Sequence, residues 1–249
     1  MSRQMPAFER PHWSAPSRVR AAFTQRAGGA SLAPYDSLNL GDHVGDLASA
    51  VAQNRRRLRE ALSLPAEPLW LEQVHGIGVL DADGFDGSLA PRADAAVTRQ
   101  CGRVLAVLVA DCLPVLFATR DGSAIAVAHA GWRGLAAGVL EATIAALAAP
   151  EPPHAWLGPS IGASHFEVGE EVREAFVAQD AAAGAAFTPN ERGRWLCDLH
   201  ALASMRLAAL GLASVAADLS CCYEQPRRFY SYRRDGVTGR MAALIWLQE

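Results

Sequence analysis

The stretch from Val104 to Arg133, VLAVLVADCLPVLFATRDGSAIAVAHAGWR, constrains the fold more than any other part of the chain. Its apolar runs are short, rich in Val, Leu, Ile and Ala, and bounded by turn residues. Such runs read as buried β-strands rather than helices, which need longer segments. Each run brings a chemically capable residue to a strand end. Cys112 follows Asp111 in a turn just outside the run 104–109, and His129 closes AIAVA before the turn AGWRG. Upstream, LEQVHGIGVL offers His75 in another β-like run. A polar side chain just past a buried strand is well placed to face a pocket.

One Cys and two His suit a catalytic zinc site, with three protein ligands in tetrahedral geometry and the fourth position left to water. Their separation in sequence is too large for a local zinc-finger loop, so three elements have to converge. The same residues fit a metal-independent hydrolase with Cys112 as nucleophile and His129 as base. They also fit ordinary structural roles, since buried Cys is common. At this level the three readings stay open.

Other chemistries are easier to exclude. GPSIG, at 158–162, matches the nucleophile elbow G-x-S-x-G, yet the acid and histidine that should follow are badly placed. His165 lies too close to Ser160, and Asp198 with His200 would have to serve both roles from one helical turn. Ser160 is therefore not expected to be a nucleophile, and a glycine turn whose backbone approaches the site is expected instead. H-E-x-x-H, C-x-x-C, GxGxxG and the H-x-E…P-C-x-x-C pattern of zinc nucleobase deaminases are all absent. A four-copper oxidase needs about ten His plus a Cys, and this chain has 7 His in total.

All 23 basic residues are Arg, which removes a Walker A lysine, a Schiff-base lysine and a lysine general base together. Any phosphate must then be held by Arg or by backbone N–H groups. Arg26, Arg133, Arg233 and Arg234 are the candidates beside turns. A net charge of −3 with 51% hydrophobic residues points to a globular protein with no nucleic-acid or membrane surface. Five cysteines without framework spacing suit reduced thiols, so a cytoplasmic location is expected.

Residues 1–249 are expected to form one catalytic domain behind an irregular arm, 1–18. Beyond the central block, strands are expected at RVRAAFT, LWLEQVHGIGVLDA, ADAAVT, HAWL and Met241–Leu247. Helices are expected from an Asp46 N-cap to Leu62, over Gly134–Ala148, over FEVGEEVREAFVAQ and after an Asp198 cap. The arginines 55–57 and 59 should lie largely on a solvated face. Strands and helices alternate without a clean βαβ period, so an α/β (α+β mixed) fold with mixed β-sheets flanked by helices is expected.

At QVHG, ADAAVT, DCLPVLF, AHAGWRG and RFYSYRRDGVTGRMAALIWL the chain resembles one bacterial family, as it does at TQRAGG, PYDSLNLGDHVGD and GPSIGASHFEVGEEV. That family is the laccase-domain or polyphenol-oxidase-like group, also described as purine nucleoside phosphorylases with adenosine deaminase activity and as peptidoglycan editing factors. The resemblance implies a catalytic zinc site made by His75, Cys112 and His129, which copper can enter in vitro. It implies phosphorolysis of adenosine, inosine and 5′-methylthioadenosine to free base and ribose 1-phosphate, and deamination of adenosine. It also implies a fold related to the catalytic domain of cytotoxic necrotizing factor. On this reading purine nucleosides and phosphate are the partners of a monomer. Arg26, Asn39, His43 and Arg233 are expected to contact substrate, and Asp94 and Asp111 to accept hydrogen bonds from ligand imidazoles. The alternatives are a Cys–His hydrolase editing peptidoglycan precursors and a copper-dependent polyphenol oxidase. The one local departure from the family pattern is Cys221-Cys222-Tyr223, where members commonly read Cys-Thr-Tyr.

Overall fold

The computed structural model describes residues 5–86, 90–212 and 214–249. In chain order the elements are β1 (Phe8–Glu9), β2 (Val19–Thr24), α1 (Ala48–Leu62), β3 (Val79–Asp81), β4 (Ala95–Thr98), β5 (Val104–Val109), β6 (Leu113–Ala118) and β7 (Ile125–Ala130). There follow α2 (Trp132–Ala137), α3 (Val139–Leu147), β8 (His154–Leu157), β9 (Glu167–Val168), α4 (Glu170–Val177), β10 (Phe187–Pro189) and β11 (Trp195–Cys197). The chain closes with α5 (Leu199–Ala209), β12 (Val215–Ala217), α6 (Tyr232–Asp235) and β13 (Met241–Leu247).

A six-stranded sheet runs β12-β8-β6-β7-β4-β3, a four-stranded sheet β1-β2-β13-β5, and a small sheet β10-β11-β9. Pairs β12–β8 and β3–β4 are parallel, whereas the β6–β7 hairpin and both neighbours of β13 are antiparallel, so the architecture is a mixed α/β one. Side-chain alternation explains the layering. Successive residues of a strand face opposite sides. Val115 and Phe117 of β6 and Ala126 and Ala128 of β7 pack with Leu140 of α3 and Leu202 of α5. Their neighbours Leu116, Ile125 and Val127 pack against Phe23, Leu105, Val107 and Ile245 of the four-stranded sheet. The outer face of that sheet, Ala106, Leu108, Leu244 and Trp246, is covered by Leu58 and Leu62 of α1 and by Leu38 and Leu40. Both sheets are thus covered on both faces, which is why β5, β6 and β7 as far as Ala128 read as unbroken apolar runs. Burying each such Leu or Phe contributes about 1.5–3 kcal/mol.

Several expectations shift. The run 69–82 is not one strand: only Val79–Asp81 is, and the segment around His75 is a turn. Asp46 does not cap α1, whose N-cap position is Leu47; its carboxylate accepts from Ser31 Oγ and Asn39 Nδ2 instead. Arg55 and Arg57 are half-buried and donate to the carbonyls of Leu40 and Gly29. The predicted helix 134–148 is broken at Gly138, which has φ 102°. FEVGEEV begins with the short strand β9 before α4 starts, while Asp198 does cap α5 by accepting from Ala201 N. The described part of the arm, 5–18, is irregular apart from β1, which pairs with β2. No described helix is long and apolar enough to cross a membrane.

Candidate metal centre

Three separate elements deliver His75, Cys112 and His129 to one point, where their ligand atoms lie within 4.8 Å of one another. In the β6–β7 hairpin Pro114 pairs with His129, which sets Cys112, two residues earlier, beside the turn that follows β7. The glycine at that turn is required by contact. A Cβ on Gly131 would lie 3.0 Å from both Cys112 Sγ and His75 Cδ2. A Cβ on Gly134 would lie 2.8 Å from the carbonyl oxygen of Gly76, so α2 presses its backbone onto the His75 turn. His75 itself has φ 59°, a left-handed conformation that a non-glycine residue adopts only when its surroundings hold it there.

Asp94 supplies that hold. It precedes β4, and the β4–β7 register places it next to His129, whose N–H donates to the Asp94 carbonyl at 2.7 Å. Its fully buried carboxylate accepts four more hydrogen bonds. Oδ1 takes His75 N at 2.9 Å and His129 Nδ1 at 2.8 Å, and Oδ2 takes Val74 N at 3.1 Å and Gly76 N at 2.7 Å. One carboxylate therefore fixes the turn carrying one imidazole and the tautomer of the other. With Nδ1 donating to Asp94, His129 presents Nε2 to the cluster.

The electrostatics follow from this packing. Burial opposes ionisation of Asp94, but the hydrogen bond from His129 and those from Gly76 and Val74 outweigh it and hold its pKa below the usual carboxylate range. Burial also opposes the Cys112 thiolate, yet the charge and hydrogen bond of His129, then those of His75, bring the thiol pKa down. The reciprocal attraction of Cys112 and Asp94 overcomes the burial of His129 and raises its pKa. A thiolate and two imidazoles, one braced by a carboxylate, form a donor set that fits zinc. Among the described residues this is the one group of three or more such side chains suited to an ion.

The cluster opens on a cleft of about 610 Å³, lined on its other walls by His43, Arg55, Trp70, Gln73, Tyr232 and Arg240. Of the residues expected to contact substrate, His43 is there, its pKa lowered by burial and by Arg240. The others are engaged elsewhere. Arg26 donates to the carbonyls of Asp36 and Pro226, pairs with Asp36 at 3.4 Å and lies over the Tyr230 ring. Asn39 is fully buried and braces its loop through Gly41, Asp46 and Arg240 N. Arg233 donates to Glu167 O and lines a different cavity with His165 and Tyr223. Arg133 is exposed over Trp132, and Arg234 is held by the carbonyls of Cys222, Tyr223 and Phe229.

Asp111 takes neither imidazole. Its Oδ2 accepts from Arg233 N at 2.7 Å, tying the start of α6 to the residue before Cys112. The glycine turn 158–162 meets it from the other side, where Ile161 N donates to the Asp111 carbonyl at 2.9 Å. Ser160 is fully buried, with Oγ 3.3 Å from His200 Nδ1, and His200 Nε2 is 3.0 Å from Gly158 O. Arg55, Trp70, Tyr232 and Arg240 escaped sequence reasoning. Arg240 carried a usable signal: it immediately precedes β13, and the pairing of Met241 with Val109 sets it beside Ala110 and hence near Cys112.

Residues 20–248 match the model of a family described as multi-copper polyphenol oxidoreductase laccase. A purine nucleoside phosphorylase of Pseudomonas aeruginosa is 51% identical over 247 residues, covering 98% of this chain and 100% of its own. Purine nucleoside phosphorylase YfiH of Escherichia coli K12 is 52% identical, covering 95% of this chain and 97% of its own. The crystal structure of a Neisseria meningitidis protein superposes with a TM-score of 0.93 at 46% identity, covering 97% of this chain and 99% of that one. YlmD of Geobacillus stearothermophilus superposes with a TM-score of 0.86 at 30% identity, covering 94% of this chain and 93% of its own.

Proposed function

Because the chain belongs to the multi-copper polyphenol oxidoreductase laccase family, and its Pseudomonas and Escherichia relatives carry the name purine nucleoside phosphorylase, we propose that it is a zinc-dependent purine nucleoside phosphorylase. The observation that carries this reading is the His75–Cys112–His129 cluster in the wall of a cleft of about 610 Å³, a volume suited to a nucleoside. The family description fits less well, since the one such cluster among the described residues, with two imidazoles, falls far short of the ligands several coppers need.

His75, Cys112 and His129 would hold the zinc, which when bound would supply a Lewis acid and a more acidic water at the cleft wall. The chain's own residues do the rest. Asp94 orients the His129 imidazole and fixes the turn that carries His75, so the ligand geometry is set before substrate arrives. Tyr232 presents an exposed ring at the cleft, a face for the purine or ribose. In phosphorolysis a phosphate oxygen bonds to C1′ while the C1′–N9 pair leaves with the purine, and positive charge grows on the ribose. The cleft must then hold phosphate against that carbon, which places the requirement on an arginine. Adenosine, inosine and 5′-methylthioadenosine are the proposed substrates, with hydrolytic deamination of adenosine at the same site.

A second reading is favoured by one observation. Asp94, His129 and Cys112 form a line in which a carboxylate orients an imidazole beside a thiol of lowered pKa, as a cysteine hydrolase requires. Two measurements separate them. Purified protein incubated with adenosine should release adenine only when inorganic phosphate is present, and His75→Ala should abolish the release. Elemental analysis should find near-stoichiometric zinc that Cys112→Ala removes. Zinc-loaded protein that forms neither adenine nor inosine refutes the phosphorylase reading, and zinc-free protein that is active and blocked by thiol alkylation supports the hydrolase.

A further inference from the structure

Of the two arginines lining the cleft, Arg55 and Arg240, one has no carboxylate partner among the described residues. Arg55 pairs with Asp42 at 3.3 Å, donates Nε and Nη2 to Leu40 O, and lies 4.2 Å over the Trp70 ring. Asp42 is thereby neutralised on the same wall. Arg240 has no ion-pair partner among the described residues. Its Nη1 donates to the carbonyls of Thr238 at 2.9 Å and Gly239 at 3.1 Å, which leaves Nε and Nη2 without a protein acceptor among the described residues. Its stem is clamped as well: a Cβ on Gly41 would meet Arg240 Cγ at 2.8 Å and His43 Cε1 at 3.4 Å. The backbone is fixed by Arg240 N donating to Asn39 Oδ1 and Leu40 N donating to Arg240 O.

A half-buried cation held rigidly on one edge, with two donors unspent on the other, is costly unless an anion completes it. Its negative neighbours are the Cys112 thiolate, which a bound metal would take for itself, and the Asp111 carboxylate, which accepts from Arg233 N; neither forms an ion pair with it. The fork of an arginine fits two phosphate oxygens at once. We infer that Arg240, with His43 beside it, is the phosphate-binding residue of the cleft, in place of Arg26 and Arg233. This rests on the phosphorylase reading for its consequence in turnover, but the anion subsite is testable without turnover.

The test uses the zinc-loaded full chain with inorganic phosphate as the probe. Titration calorimetry should show phosphate binding to the wild-type protein that weakens about 10–100-fold in Arg240→Gln, the loss expected when a charge-assisted contact is removed. In turnover assays the KM for phosphate should rise by a similar factor while the KM for the nucleoside changes less than about threefold. Arg240→Lys should recover part of the loss, since it restores charge but not the fork. Arg56→Gln, on the exposed face of α1, should bind phosphate as the wild type does. A merely structural role would lower zinc content or raise both KM values together, and that pattern overturns the inference. So does unchanged phosphate affinity in Arg240→Gln. If wild-type protein binds phosphate through Arg240 yet cleaves no nucleoside, the phosphorylase reading fails and the anion subsite stands.

Discussion

Replacing Asp94 by Asn keeps the shape of the most connected side chain at the site and removes half its acceptors. Oδ1 serves His75 N and His129 Nδ1, and Oδ2 serves Val74 N and Gly76 N. An asparagine has one oxygen, so whichever way its amide lies, an NH₂ group faces two donors in a fully buried place. Each buried donor left without an acceptor costs about 1–3 kcal/mol, which sums to about 2–6 kcal/mol. Removing the buried charge recovers part of its desolvation cost, so a loss of about 2–4 kcal/mol is expected. Against a total stability of about 5–15 kcal/mol that is a large change. Zinc affinity should fall about 10–100-fold, because the orientation of His129 and the turn holding His75 both loosen. Urea unfolding measures the first quantity and competition with a chelator the second. If Asp94→Asn unfolds within about 0.5 kcal/mol of wild type and holds zinc as tightly, the idea that one carboxylate organises two ligands is wrong.

Gly131→Ala puts a methyl 3.0 Å from Cys112 Sγ and His75 Cδ2, so zinc affinity should drop by at least about tenfold with little change in far-UV circular dichroism. In protein stripped of metal, with exposed Cys101 replaced by Ser, Cys112 should remain a thiolate well below the ordinary thiol range. Its folded pKa is depressed, so the stabilisation is full above the unfolded value and is lost as pH falls through about 6. Alkylation rates measured against pH should show that low midpoint, and a midpoint near the free-thiol value of about 8.5 would contradict the pairing with His129. Ser160→Ala should keep its activity within a few-fold, because Ser160 is sealed in the core against His200; inactivity with intact folding would reopen the serine-hydrolase reading.

Where the apolar pattern is continuous, the strands are legible from the residues alone. The short runs 104–109 and 113–118 could bury all their side chains only as strands between two layers, and Met241–Leu247 had the same character. Asp198 was legible as a helix cap because capping is a local contact, and Cys112 and His129 were legible as residues at strand ends. Polar residues whose partners lie far off in sequence were not legible in this way. Asp46 looked like a cap and is instead bound to Ser31 and Asn39. Arg26 and Arg233 looked available beside their turns and are satisfied by distant carbonyls, while Arg240 sat unnoticed before a strand. His75 is the sharpest case. LEQVHGIGVL reads as extended chain, but three N–H groups of its turn donate to the carboxylate of Asp94, which β4 carries to the spot. Burial depends on each residue's own side chain and repeats with the geometry of the element, so a sequence displays it. The partner of a buried polar group depends on which strands lie side by side and in what register, and that is set by the folded chain as a whole.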